Sequence, residues 1–149
     1  LQKFDWDLKP MFRLQMAYLL LWSSIERYLS LRYHFGNKVT GKVGQLACEP
    51  AFAESLQQHV KRAGEVYRAD RPRDKAVLDP QSPEQSLKYY YQVRSNITHR
   101  GKGVPNDYTL LENSLTELLA IFRDVFTAAK KDARNLTSQM VGDDGPFHL

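Results

Sequence analysis

The stretch YYYQVRSNITHRGKG, running from Tyr89 to Gly103, sets three tyrosines, an arginine, an asparagine and a histidine ahead of a basic glycine-rich turn. Just upstream, Ser82-Pro83-Glu84-Gln85 marks a helix start. Ser82 can cap, Pro83 takes the first helical position and Gln85 can return the capping-box bond. Leu87, Tyr90, Val93 and Ile97 then fall on one side, and Gly101 and Gly103 stop the pattern. This predicts a helix over 83–99.

The same spacing extends outward in both directions. Downstream, Thr109 and Glu112 form a second box, and Leu111, Leu115, Leu118, Phe122, Val125 and Ala129 alternate steps of four and three, which predicts a helix over 108–135. The segment 137–149 ends in VGDDGPFHL, has turn composition and is expected to fray. Upstream, Phe52, Leu56, Val60, Ala63 and Tyr67 predict a helix over 50–69, and the proline-rich stretch Asp70 to Pro83 is expected to be an exposed connection. Pro10 suits a first helical turn, and Met11, Leu14, Tyr18, Leu21, Ile25 and Tyr28 predict a helix over 10–35. Leu20, Trp22, Leu29 and Leu31 widen its apolar surface, which implies burial against more than one neighbour.

Between the first two helices lies GNKVTGKVGQLACEP, residues 36 to 50. Gly36, Gly41 and Lys42 have the spacing of a phosphate-binding loop. Val43, however, stands where Ser or Thr must hold magnesium, and a helix precedes the segment where a strand should. It is expected to be a plain interhelical loop. No segment alternates with period two, so the expectation is one all-α domain over 1–149, an antiparallel bundle of four to five helices.

Composition narrows the function classes. The longest apolar run, Ala17 to Trp22, is far short of the ~20 residues of a membrane span, and no signal peptide is visible, so no membrane partner is expected. Cys48 is the single cysteine and cannot form an internal disulfide, which favours a reducing, cytoplasmic setting. The N-x-T sequons at Asn96 and Asn135 then count as chance matches. The net charge is +4, with cations clustered at Lys61, Arg62 and Arg68, at Arg100 and Lys102, and at Lys130, Lys131 and Arg134. Such patches favour polyanions.

The chemistry concentrates in Arg94, Asn96 and His99. At 100° per residue, positions five apart lie ~140° apart around an intact helix, so Arg94 and His99 could meet only where the helix ends. At a helix C-terminus the dipole favours imidazolium, and an imidazole near neutrality suits proton transfer. Arg94 supplies a planar fork for phosphate oxygens, and Asn96 could orient the imidazole. Together they suit RNA transesterification, with His99 as acid/base and Arg94 steadying the phosphorane. No carboxylate cluster suggests two-metal chemistry, His34, His59 and His148 have no ligand spacing, and neither metal nor other cofactor is expected. Arg100, Lys102, Lys61 and Arg62 are the candidate nucleic-acid contacts. Tyr89, Tyr90 and Tyr91 read as packing residues.

VRSNITHRGKG resembles the signature of the HEPN superfamily, an R-x(4–6)-H motif late in a compact helical bundle. The match is Arg94, the four residues Ser95, Asn96, Ile97 and Thr98, then His99, flanked by an aromatic-rich helix, a basic glycine turn and a long amphipathic helix. The resemblance implies a HEPN-like bundle over Pro10 to Asn135. It further implies metal-independent endoribonuclease activity in toxin–antitoxin or antiviral defence, and a homodimer whose motifs face each other. An antitoxin or a neighbouring-gene protein would be a further partner. Two positions depart from common variants: Ser95 follows the arginine, with Asn96 one place later, and Gly101 stands where one toxin subgroup has tyrosine. The alternative is a non-catalytic HEPN-like dimer that binds a nucleotide, nucleic acid or protein partner.

Overall fold

The computed structural model describes residues 2–33, 39–100 and 105–143, with side chains described over 9–33, 41–98 and 108–141. It is mostly helical. In chain order it has α1 (Gln2–Arg32), α2 (Val39–Ala47), α3 (Pro50–His59), β1 (Gly64–Tyr67), β2 (Lys75–Leu78), α4 (Pro83–Arg100) and α5 (Pro105–Asp143). Among the described residues no helix is long and apolar enough to cross a membrane.

The helices form where apolar spacing gives them a face to bury. On α1 the buried residues are Met11, Tyr18, Trp22, Ile25 and Leu29, steps of seven, four, three and four that make one stripe. Leu20 and Leu31 stay on the outside. The helix begins at Gln2 and carries Pro10 in its interior, so Pro10 does not start it. The missing proline N–H removes one helical hydrogen bond. On α5, Leu111, Leu118, Ile121, Phe122 and Val125 are buried, and Phe122 meets Phe52 of α3 with ring centroids 6.2 Å apart. α5 starts at Pro105 and continues to Asp143, which corrects the 108–135 expectation and the frayed reading of 137–143. No proline interrupts 106–143, and every residue from Lys130 to Val141 is exposed. At 1.5 Å per residue the helix is about 58 Å long. The segment 144–149 lies outside the described residues.

Two further expectations fail. The segment expected to be a loop contains α2, whose Val43 and Leu46 are buried three residues apart. Gly41 and Gly44 lower its helix propensity by about 1 kcal/mol each relative to alanine, and burial of that short face overrides them. The helix expected over 50–69 stops at His59. Val60 adopts extended backbone angles (φ −109°, ψ 113°) while its N–H still bonds the Leu56 carbonyl.

A two-stranded antiparallel hairpin follows, pairing Gly64 with Leu78, Glu65 with Val77, Val66 with Ala76 and Tyr67 with Lys75. Val66 and Leu78 turn inward, and both strands pack on α4. Gly64 lies at a close approach. A Cβ there would sit 3.1 Å from Arg62 Nη1 and 3.3 Å from the Tyr89 hydroxyl.

α4 is the central element. Asp79 and Ser82 prepare its start: the Gln81 N–H bonds Asp79 Oδ1 at 2.9 Å, and the Ser86 N–H bonds the Ser82 carbonyl at 3.0 Å. Tyr89 and Tyr90 are fully buried, with ring centroids 5.4 Å apart. The Tyr18 hydroxyl donates to the Tyr90 carbonyl at 2.6 Å, tying α1 to α4 through the core.

Candidate functional site

The site is built on the C-terminal half of α4, where its outer turns run between α1 on one side and the hairpin on the other. Arg94 faces α1. Its Nη2 lies 3.3 Å from Glu26 Oε1, and both side chains are about one-third exposed. The guanidinium carbon sits 5.7 Å from the centroid of the Tyr91 ring, and Tyr91 meets Trp22 edge-on at 5.5 Å. A cation held over an aromatic face is attracted by the ring quadrupole. One part of the fork is left over: Arg94 Nε is buried and has no hydrogen-bond partner among the described residues. A buried unsatisfied donor costs about 1–3 kcal/mol, so an anionic oxygen reaching it would recover that cost.

Asn96 faces the hairpin and is heavily engaged there. Its Nδ2 donates to the Tyr67 carbonyl at 2.7 Å. Its Oδ1 accepts from the Ala69 N–H at 3.0 Å and from Gln92 Nε2 at 2.8 Å. The described bonds therefore give Asn96 a task the sequence did not suggest, that of clamping the end of β1 to α4.

α4 remains helical through Arg100. Arg94 and His99 thus occupy positions ~140° apart around one helix and ~7.5 Å apart along it, so the helix itself does not bring them together within one chain. The side chains of His99 and Arg100 lie outside the described residues, as does Lys102 with the glycine turn.

The two remaining candidates separate. Lys61 is exposed, and its Nζ donates to the Gln57 carbonyl at 2.7 Å. Arg62 is not available as a phosphate contact. Its Nε and Nη2 bond the two Glu117 oxygens at 2.9 and 2.7 Å, and its Nη1 donates to the Tyr89 hydroxyl at 3.4 Å. The Tyr90 hydroxyl donates to the same carboxylate at 3.0 Å. Burial, reinforced by the Glu117 charge, pushes the Tyr90 phenol well above its ordinary pKa. This is a structural network joining the α3–β1 connection to α4 and α5. A bidentate arginine–carboxylate pair is a strong partner for either group, which leaves Arg62 little to offer a ligand.

A Ser–His–Asp cluster also occurs, away from the motif. Ser55 Oγ donates to Asp124 Oδ2 at 2.7 Å, and His59 Nε2 lies 3.0 Å from the same oxygen. A nucleophilic triad needs the imidazole between serine and carboxylate. Here both partners converge on one carboxylate oxygen and Ser55 is buried, so the cluster braces α3 against α5. Among the described residues, no three His, Cys, Asp or Glu side chains group as metal ligands.

Glu26, Tyr91 and the hairpin are the features around the motif that sequence reasoning missed. Glu26 lies on the polar side of α1, sixty-eight residues before Arg94, with no local signal pointing to it. The hairpin's signal was present in Val66, Tyr67 and Val77, residues that favour strands, flanking a proline-containing turn. No family model, curated protein or solved structure matches the chain.

Proposed function

We propose that the chain is a metal-independent endoribonuclease of the HEPN type, active as a homodimer, in which Arg94 binds the scissile phosphate and His99 moves the protons. The observation that carries this reading is the state of Arg94. It is held on Tyr91 at the rim of the core with a buried Nε that lacks a partner, five residues from a histidine in the last turn of the same helix. The angular separation along α4 is answered by a second copy, which lets Arg94 of one protomer work with His99 of its partner.

The chemistry then runs without an imported group. One His99 imidazole takes the ribose 2′-OH proton, the 2′-oxygen attacks phosphorus, and the P–O5′ bond breaks. The departing 5′-oxygen takes its proton from the same imidazolium, which returns His99 to its neutral form. The products are a 2′,3′-cyclic phosphate and a 5′-hydroxyl. Arg94 neutralises charge on the non-bridging oxygens as the phosphorane forms. Asn96 acts by fixing the hairpin beside this end of α4. The resemblance carries the wider setting, a cytoplasmic toxin–antitoxin or antiviral defence role with an antitoxin or neighbouring-gene protein as partner.

The ion pair between Arg94 and Glu26 favours a second reading, a non-catalytic dimer that binds a nucleotide, nucleic acid or protein partner. The two are separated by incubating diverse RNAs in EDTA with the wild type, Arg94→Ala and His99→Ala. Cyclic-phosphate ends produced by the wild type and lost in both folded variants support the ribonuclease. Binding without cleavage supports the module.

A further inference from the structure

The turn of the hairpin carries a cationic group with an aromatic neighbour, held at the motif's end of α4. Arg68 is occupied internally: its Nη2 lies 2.9 Å from Asp70 Oδ2 and its Nη1 4.0 Å from Asp74 Oδ2. Lys75 pairs with Glu65 at 3.2 Å. Arg71 and Arg73, by contrast, are exposed and form no ion pair among the described residues. The turn that presents them is built by backbone bonds, from the Asp74 N–H to the Arg71 carbonyl and from the Arg68 N–H to the Asp74 carbonyl, both 2.9 Å. Beside it, Tyr67 is 51% exposed. The register opposite Lys75 puts its ring on the outer face of the hairpin, since neighbouring Val66 faces inward.

Position matters as much as charge. Asn96 grips the backbone at Tyr67 and Ala69, the two residues flanking Arg68. His99 stands one helical turn further along α4, about 60° around the axis from Asn96, whereas Arg94 stands about 160° away. The hairpin turn is thus anchored on the side of α4 nearer the His99 position.

We infer that the hairpin turn, through Arg71, Arg73 and Tyr67, is a docking element for single-stranded RNA that leads the strand to the His99 end of α4. The inference rests on the ribonuclease reading and names how its substrate is held. Two exposed guanidinium groups with no ion pair among the described residues match successive backbone phosphates. An exposed tyrosine provides a stacking face for an unpaired base, which a duplex would not present. Asn96 makes the element rigid with respect to the site.

The test uses a fluorescent 2′-O-methyl RNA oligonucleotide, which cannot be cleaved by 2′-oxygen attack, and reads binding by anisotropy across a salt series. The proteins are the wild type, Arg71→Gln/Arg73→Gln, Tyr67→Ala and Asn96→Ala, each checked for folding by thermal melting. The double variant should lose about 1.4 from the slope of log K against log salt, about 0.7 per phosphate contact on a single strand. Tyr67→Ala should weaken single-strand binding about tenfold and abolish any preference over duplex. In parallel cleavage assays the double variant should raise KM and keep kcat at saturating RNA. A double variant with wild-type affinity and slope overturns the inference; if Arg94→Ala and His99→Ala are still inactive, the ribonuclease reading stands without it. A wild type that neither binds nor cleaves RNA overturns both.

Discussion

Arg94 Nη2 and Glu26 Oε1 lie 3.3 Å apart, joining α4 to α1 at the edge of the core while Arg94 Nε remains without a partner. The pair is half-committed. A carboxylate holds one side of the fork, and the buried Nε has no acceptor among the described residues. With both side chains about one-third exposed, such a pair contributes at most about 1 kcal/mol. Glu26→Gln should therefore leave the melting temperature within a few degrees of wild type and strengthen RNA binding at low salt, because a competing anion is gone. Thermal melting and anisotropy check both. A large loss of stability would mean that Arg94 serves chiefly as a brace.

Asn96 makes two different bonds to the hairpin backbone, and substitutions can separate them. In Asn96→Ala the Ala69 amide loses its acceptor and should exchange hydrogen much faster than in wild type. Asn96→Asp keeps an acceptor for Ala69 and should preserve that protection, while setting a carboxylate against the Tyr67 carbonyl it formerly donated to. Residue-resolved hydrogen exchange reads the difference.

Arg62 predicts a stability defect in place of a binding defect. Removing it leaves the Glu117 side chain, only 12% exposed, without its bidentate partner. Breaking a largely buried pair from one side is costly, and Arg62→Ala should lose about 2–3 kcal/mol. Arg62→Ala/Glu117→Gln should recover part of it, and RNA affinity per folded molecule should be unchanged. Denaturant titrations of the singles and the double supply the coupling.

Asp124 makes folding sensitive to acid. Hydrogen bonds from Ser55 and then His59 hold its carboxyl below the ordinary carboxylate value. A group whose pKa is depressed in the folded state stabilises it above the unfolded-state pKa, near 4 for aspartate. That contribution disappears as pH falls through the folded value. Asp124→Asn should remove this share of the acid dependence, so stability profiles of variant and wild type converge at low pH, separate as pH rises from the depressed folded value to about 4, and hold a constant gap above it. Urea midpoints collected from pH 2 to 6 would show it.

The helical frame was legible because burial repeats along it. Tyr18 and Ile25, Phe52 and Leu56, Leu87 and Val93, and Leu118 and Phe122 are all buried and all stood in the sequence at helical spacing. The hairpin's strand-favouring residues were masked, because Val60, Ala63 and Tyr67 continue the helical spacing of Phe52 and Leu56. Spacing alone does not reveal that the backbone turns extended at Val60, and Tyr67 ends up on the outside. α2 was hidden by its glycines. Arg94 was legible as a cation at the rim of α4. Its company was not, since Glu26 and Asn96's backbone partners come from distant segments. Arg62 misled for the same reason: fifty-five residues separate it from Glu117, and only the packed fold shows that its charge is spent.

The most direct test of the central claim, one ribonuclease site assembled from Arg94 of one protomer and His99 of its partner, is complementation between inactive variants. Arg94→Ala and His99→Ala are each purified, mixed, allowed to exchange subunits, and assayed on RNA in EDTA. In a twofold dimer each mixed pair holds one intact site and one doubly altered site, so random exchange should restore about one quarter of wild-type activity. A mixture that exchanges subunits and stays as inactive as its components would contradict the account.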